Sequence, residues 1–385
     1  MPDDVDVLVI SPPTSVWGAQ LRLLDYAPAL AERGVRLTLG SLPDGALYET
    51  WVDRDHPYRA VSVPFLEGFR DEVTGRRLSP RQLLVTATRV ARGATALWRA
   101  AGDFDAIWSF ALRTHPLAVA AARMRRVPVA IEIVDIVRPG GGRRLLQRCA
   151  ASADLTIVNS EATGATLEGR GRNVEVIRPG VDTHRFRPGP PPAGVREQLA
   201  EGGGVLVGIA GRIDPMKGID VLVDAMALVP TDLDVRLVVV GDVGVATSGY
   251  ARQLEARAGE LLGSRARFVG RRDDVPDVLR AIDILVNCSP AEPFGRSVLE
   301  AQATGLAVIG TRQGGIPEFV ADGETGLLVE PGDVTQLAAA ITDLAAHRCV
   351  RERLGTAART QAVECFDIKG RYDVVADVIG RVARR

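Results

Sequence analysis

The chain has 385 residues, 46% of them hydrophobic and 25% charged, with a formal net charge of −1. That length exceeds one ordinary core, so two domains of roughly 150 to 200 residues each are expected, and the near-zero charge gives no general attraction to nucleic acid. Four cysteines, Cys149, Cys288, Cys349 and Cys365, are scattered without a CxxC pair, which argues against a zinc site or a disulfide framework and fits a reducing compartment.

The opening residues, Met1-Pro-Asp-Asp4, are acidic and lack the basic and apolar regions of a signal peptide. No apolar run reaches the roughly 18 residues of a membrane span, so the expected setting is soluble and cytoplasmic. Candidate strands follow at Val5 to Ile10, Val35 to Leu39, Ala60 to Val63, Asp105 to Ser109, Val127 to Ile133 and Leu155 to Asn159. After a break they resume at Val205 to Ala210, Val235 to Val240, Ala266 to Val269, Ile284 to Asn287, Ala307 to Gly310 and Gly326 to Val329. Nearly continuous apolar runs suit parallel strands buried on both faces. Their alternation with helical patterns predicts two doubly wound α/β sheets.

The break holds Phe186-Arg-Pro-Gly-Pro-Pro-Pro192 and Gly202-Gly-Gly204, residues that resist a central strand or any order. It is the best linker, giving domains 1–188 and 189–365. A last helix, 366–385, could pack on either.

One helix of the first half places Leu83, Leu84, Ala87, Val90, Ala91, Ala94, Leu97, Trp98 and Ala101 on one apolar face, with Arg81, Arg89, Arg92 and Arg99 off it. Residues 70 to 150 carry fifteen arginines against six acidic residues. Two readings stand: a surface for anionic acceptors or peripheral contact with lipid headgroups, and a core-packing helix with a solvated basic back. The second is favoured, because every helix that covers a sheet is amphipathic.

The strongest constellation lies in the second half. The strand Val205 to Ala210 runs into Gly211-Arg-Ile-Asp-Pro-Met-Lys217-Gly218. A glycine after a strand lets the backbone approach a ligand, and ligands bind at the carboxyl ends of strands in open α/β sheets. Arg212 and Lys217 set a forked and a point cation there, a pair suited to a diphosphate. Lys217 is one of only two lysines, the other being Lys369. Where arginine is otherwise the habitual cation, a retained lysine points to a position at which arginine will not serve, a weak argument alone because Lys369 breaks it. The plain alternative, a surface turn with ordinary cations, leaves that placement unexplained.

Next comes Glu292-Pro-Phe-Gly295-Arg-Ser-Val-Leu-Glu300-Ala. Glu292 precedes a helix and Glu300 lies on its second turn, so the two carboxylates sit at different depths of one pocket. Amides near Gly295, Arg296 and Ser297 offer an anion site at the helix start. Glu292 is placed to accept from sugar hydroxyls, and Glu300 to hold a ribose diol. A lone pair of glutamates at this spacing is weak; the nearby Gly314-Gly-Ile-Pro-Glu318 strengthens it.

These segments, with Thr325-Gly-Leu-Leu, resemble the family 4 retaining glycosyltransferases of GT-B fold. Arg178-Pro-Gly-Val-Asp182, followed by Phe186 and Pro188, is similar to the segment by which that family leaves its first domain. The resemblance covers nearly the whole chain and is densest from Gly208 to Pro331. It implies two Rossmann-like domains facing a central cleft, the acceptor in the first and a nucleotide-diphosphate sugar in the second. It also implies a C-terminal helix that crosses back to the first domain, a hydroxyl acceptor that is a small molecule, a glycan or lipid-linked, and a metal-independent, retaining hexosyl transfer without a cofactor. The implied catalytic set is Arg212, Lys217 and Glu292. The implied donor set is Gly18, Gly211, Phe294, Gly295, Arg296, Ser297 and Glu300. A front-face route, with the leaving phosphate taking the acceptor's proton, goes with it.

The first half departs from the family pattern. Its first loop reads Ser11-Pro-Pro-Thr-Ser-Val-Trp17-Gly18, with Trp17 where the family has the first of two glycines. Trp108-Ser-Phe110 stands for a usual His-x-His, and Val134-Asp135 for a usual His-Asp. Trp17, His115 and Asp135 are therefore assigned to the acceptor side, although a lone loop histidine is more often plain surface. Three other readings exist. A dehydrogenase lacks its G-x-G-x-x-G after the first strand. A metal-dependent transferase would need D-x-D at a strand end, whereas Asp103-Phe-Asp105 precedes its strand. A nucleotide-sugar-binding protein that no longer catalyses would explain the missing histidines.

Overall fold

The computed structural model describes residues 4–11, 18–61, 80–244 and 247–385. They form two compact units, Met1–Arg178 with Lys369–Arg385, and Pro179–Ile368.

The first unit is built on seven strands: β1 (Val5–Ile10), β2 (Val35–Ser41), β3 (Tyr58–Ala60), β4 (Ala106–Ser109), β5 (Val129–Ile133), β6 (Leu155–Val158) and β7 (Val174–Val176). Their spatial order is β3-β2-β1-β4-β5-β6-β7, and every neighbouring pair is parallel. Each residue of β4, β5 and β6 is buried, as a sheet covered on both faces demands. Along β1 the side chains alternate. Val5, Val7 and Val9 join Leu23, Leu24 and Leu30 of α1 (Gly18–Ala31). Leu8 and Ile10 join a second core with Leu97 of α3 (Pro80–Ala100) and Leu117 of α4 (His115–Arg125). α2 (Ala46–Asp53), α5 (Gly141–Ser152) and α6 (Glu161–Ala165) complete the layers.

Of the basic helix read in sequence, now α3, Ala94, Leu97 and the following Ala101 are buried and Trp98 is half-buried; Arg92 and Arg99 are exposed. Ala91, assigned to the apolar face, is exposed. The side chains of Arg81, Leu83, Leu84, Ala87, Arg89 and Val90 lie outside the described residues. Among the described residues no helix is long and apolar enough to cross a membrane.

The second unit has β8 (Val205–Ala210), β9 (Val235–Val240), β10 (Ala266–Gly270), β11 (Ile284–Val286), β12 (Ala307–Thr311) and β13 (Leu327–Val329), in the parallel order β10-β9-β8-β11-β12-β13. Its helices are α7 (Val195–Leu199), α8 (Ile219–Leu228), α9 (Ser248–Leu262), α10 (Val275–Ala281), α11 (Arg296–Thr304), α12 (Val334–Ala346) and α13 (Arg348–Phe366). They cover both faces of the sheet in two cores.

Two sequence expectations need amendment. The units divide at Arg178/Pro179, ahead of the proline run. Phe186 is a core residue of the second unit, 7% exposed beside Phe366 and Ala303, and Arg359 Nη1 donates to its carbonyl at 2.9 Å. The proline segment therefore runs over the surface of a unit that has already begun. The sequence also held no sign of β7, an edge strand of three residues.

The last helix, α14 (Ile368–Ala383), belongs to the first unit. Val375, Val378, Ile379 and Val382 enter the core formed by β1 and α1, and Tyr372 meets Tyr26 edge-on with ring centroids 6.0 Å apart. Just before it, the chain pairs with the residues that open the second unit. Val181 bridges Asp367 in parallel, Val181 N donates to Phe366 O at 2.8 Å and Ile368 N to Val181 O at 3.0 Å.

In each sheet the chain order reverses once, between β1 and β4 and between β8 and β11. Such a reversal opens a crevice at the carboxyl ends of the two strands, where ligands bind in doubly wound folds.

Candidate functional site

In the second unit, the motif residues gather at that reversal. β8 ends at Ala210. The chain then makes a 3-10 turn at Pro215–Lys217, capped by Asp214, whose Oδ1 accepts from Met216 N at 2.9 Å. Gly218 follows with φ 61°, and a Cβ there would lie 2.4 Å from Cys288 O. Only glycine allows this turn to lie against the end of β11. A Cβ on Gly211, in contrast, would meet nothing nearer than Lys217 Cε at 3.9 Å. A small cavity opens in front of the turn, lined by Gly211, Arg212, Lys217, Asn287 and Ser289 among others.

The loop after β11 supplies the carboxylate. Lys217 Nζ donates to Glu292 Oε2 at 2.8 Å. Ser289 Oγ donates to the same oxygen at 2.8 Å, and Asn287 Nδ2 reaches it at 3.4 Å. Glu292 is 9% exposed. Burial would raise its pKa, but the Lys217 charge and the three donors outweigh that, and the carboxyl sits below the ordinary glutamate value. Sequence reasoning gave Lys217 and Glu292 separate tasks; the structure joins them as an ion pair.

The Gly314-Gly315 turn has a structural reason. Gly315 N donates to Glu292 O at 2.8 Å, and Gly314 bridges Glu292 in parallel. A Cβ on Gly314 would stand 2.1 Å from Glu292 O, and one on Gly315 2.3 Å from Pro293 O. The two turns fit because neither glycine has a side chain, and the second turn buttresses the first. Phe294 is likewise internal. Its ring is 2% exposed and stacks on Phe319 with centroids 4.8 Å apart, so its side chain supports the turn from behind.

α11 begins at Arg296, and no side chain caps its first turn, which leaves an electropositive helix end beside Glu292. Arg296 and Ser297 are half-buried there. One turn on, Glu300 Oε1 lies 3.3 Å from Arg296 Nη2. Burial pushes the Glu300 carboxyl above its ordinary pKa, and the charges of Arg296 and Arg185 only partly offset this. Arg185 escaped the sequence reading. It lies in a turn capped by Asp182, whose Oδ1 accepts from the amides of His184 and Arg185, and only the fold brings it near Glu300.

The first unit has its own reversal of strand order, between β1 and β4. Gly18 opens α1; Trp17 lies outside the described residues. Asp135 is exposed in the loop after β5. His115 corrects the sequence reading, which favoured a surface loop. It is 1% exposed at the head of α4, with Nδ1 2.8 Å from Ser109 Oγ, which is in turn 2.7 Å from Thr114 Oγ1. Burial pulls its pKa down to about 3, against a smaller opposing effect of the Glu132 backbone. A neutral, enclosed imidazole does not stand open to an acceptor.

The structure also holds a buried ion pair that the sequence reading missed, Arg22 of α1 with Glu132 of β5. Arg22 lies 5.4 Å from the centroid of the Phe110 ring and 5.7 Å from that of Tyr26. An acid inside the apolar run Val129-Ala-Ile-Glu-Ile133 was the available signal, since a buried carboxylate needs a partner. Asp103 and Asp105 stand before β4, where Asp105 Oδ2 accepts from Asp6 N and Asp103 pairs with Arg59; they are at the amino end of that strand, not the carboxyl end.

Two family models match this chain in succession, Glycosyltransferase Family 4 over residues 16–185 and Glycosyl transferases group 1 over residues 204–347. The chain belongs to the family 4 glycosyltransferases. Its two Rossmann-like parallel-sheet units are those of the GT-B fold. A HepE protein of Anabaena, solved in complex with UDP-glucose, is 25% identical, with a TM-score of 0.82 over 98% of this chain and 100% of that one. Sucrose-phosphate synthase of Thermosynechococcus elongatus shares the fold at 22% identity, with a TM-score of 0.77 over 99% of this chain and 98% of that one. Among curated family members, the D-inositol 3-phosphate glycosyltransferase of Streptomyces avermitilis is 36% identical over 241 residues, 59% of this chain and 52% of that protein. The chain spans about half the length of the curated relatives it matches.

Proposed function

We propose that this protein transfers a sugar from a nucleotide-diphosphate donor to a hydroxyl acceptor, with retention at the anomeric carbon and without a metal ion or cofactor. The observation that carries this reading is the Lys217–Glu292 pair at the β8/β11 reversal, beside the uncapped start of α11. Breaking the bond from the anomeric carbon to the diphosphate leaves growing negative charge on the phosphate. Arg212, Lys217 and the amides at the start of α11 are fixed positive groups for that charge, which is how a preorganised site lowers such a barrier. They do the work that a divalent cation does elsewhere.

Glu292 is the group for the donor sugar and Glu300, with Arg185 nearby, for the ribose. No carboxylate is assigned as a covalent nucleophile. The new bond to the acceptor oxygen forms on the face from which the diphosphate departs, and the acceptor's proton passes to a leaving phosphate oxygen. Acceptor recognition belongs to the first unit, around the loops after β1 and β5.

The UDP-glucose complex of Anabaena HepE makes a uridine diphosphate sugar the first donor to test. The inositol phosphate relatives point to a phosphorylated polyol as the first acceptor. A binding protein without catalysis has less support, because the cation and carboxylate that transfer requires are both present and paired. A thermal-shift panel of UDP-, GDP-, ADP- and dTDP-sugars identifies the donor, since a ligand that binds the folded state raises stability by mass action. Turnover of the stabilising donor then tests the reaction. Failure of every nucleotide sugar to raise Tm would defeat the proposal.

A further inference from the structure

We propose that Ser289 is a positioning residue for this transfer, holding the Glu292 carboxylate and through it the Lys217 ammonium in the geometry the donor meets. The inference rests on the donor-site reading above.

A glutamate and a lysine are long side chains, and an ion pair between them fixes neither, because both can swing together. Ser289 is different. It is 2% exposed and its backbone is anchored twice. Thr311 Oγ1, at the end of β12, donates to Ser289 O at 2.7 Å, and Ser289 N donates to Asn287 Oδ1 at 3.0 Å. The second bond also sets the Asn287 amide, turning its nitrogen toward Glu292 at 3.4 Å. The 2.8 Å bond from Ser289 Oγ to Glu292 Oε2 therefore comes from a rigid base.

All three donors converge on Oε2. Oε2 is thus the oxygen that the protein holds. Lys217, from the turn after β8, is the charged group acting on Glu292, and it uses one of its three N–H bonds there. A buried hydroxyl gives little net stability over an apolar side chain of its size. Its use is to fix where the carboxylate, and so the ammonium, stands.

The test uses the full-length chain with Ser289→Ala, and Ser289→Cys should the alanine variant melt early. Hydrolysis of UDP-glucose without acceptor is followed as released UDP, UDP affinity is measured by calorimetry, and the Glu292 carboxyl carbon is titrated by NMR, assigned by its loss in Glu292→Gln. Ser289→Ala is expected to lower kcat about tenfold while changing UDP affinity less than about twofold, and to move the Glu292 titration to higher pH, because a donor to the ionised form is lost. An unchanged Glu292 titration overturns the proposal, as does a loss of UDP affinity that parallels the loss of kcat. If Glu292→Gln lowers kcat but Ser289→Ala does not, the positioning role falls and the donor-site reading stands. If Glu292→Gln also turns over at the wild-type rate, both fall.

Discussion

Lys217 and Glu292, seventy-five positions apart in sequence, meet at 2.8 Å between Nζ and Oε2, at the carboxyl ends of the neighbouring strands β8 and β11. The pair is partly enclosed, with side chains 28% and 12% exposed. It links the proposed clamp for the leaving diphosphate to the proposed contact for the sugar.

Removing one partner should therefore do two things. Lys217→Ala leaves a largely buried carboxylate without its counter-charge, and should cost about 1–2 kcal/mol of stability, less than for a fully enclosed pair. It should also lower turnover about 10- to 100-fold, the worth of a charged hydrogen bond to the departing phosphate. Adding Glu292→Gln should restore the lost stability but none of the turnover. Arg212→Ala should likewise lower turnover. Denaturant melts and initial rates on the four chains check this; full activity in both alanine variants would remove the clamp.

The two glutamates should separate kinetically. Glu300→Gln should raise KM for the donor and weaken free nucleotide, whereas Glu292→Gln should lower kcat and spare nucleotide affinity. Glu300→Gln should in addition raise Tm at pH 7. A carboxyl whose pKa is higher folded than unfolded destabilises the fold once it is ionised, so its neutral isostere relieves that burden. Calorimetry with UDP and a thermal melt decide; unchanged nucleotide affinity in Glu300→Gln would move the ribose elsewhere.

Activity should survive chelation. With Arg212, Lys217 and the helix amides as the positive groups, turnover in excess EDTA is expected to match that in magnesium or manganese. Loss in EDTA with recovery on adding the metal would contradict this.

His115 should make the first unit acid-sensitive. Its pKa is about 3 in the fold against an ordinary 6.5, so the unfolded chain binds the proton that the folded chain refuses. Stability is complete above pH 6.5 and declines as pH falls toward 3, by about 2 kcal/mol at pH 5. His115→Gln should flatten that decline. Urea melts at pH 5 and 7.5 give the comparison, and parallel losses in both chains would exclude the histidine as the cause.

The donor-side site was legible in sequence where spacing along one segment carries it. Gly211 to Gly218 and Glu292 to Glu300 each lie on a single strand-turn-helix passage, so their order in the chain is their order in space. Arg185 was not legible, because it reaches Glu300 from a distant turn; Ser289 lies only three residues before Glu292, but nothing in the spacing says that its hydroxyl turns to that carboxylate while Thr311 of β12 holds its backbone. The apolar strands were visible for their continuous runs, whereas β7, Val174-Glu-Val176, faces solvent on its outer side and leaves no such run. His115 misled because its ring is enclosed by Ser109 and Thr114 at a helix head, and nothing local announces burial. The proline run looked like a boundary since proline excludes regular structure, although Phe186 beside it is packed into the second core.

The return of α14 to the first unit has a consequence for the order in which the protein is made. Residues 179–368 hold every strand of their own sheet and can close a core once they leave the ribosome. The first unit, synthesised earlier, still lacks Val375, Val378, Ile379 and Val382 beneath its sheet. The half of the chain that is born first is thus the last to be finished, and a nascent chain stopped short of Lys369 carries an open apolar face of the kind chaperones bind.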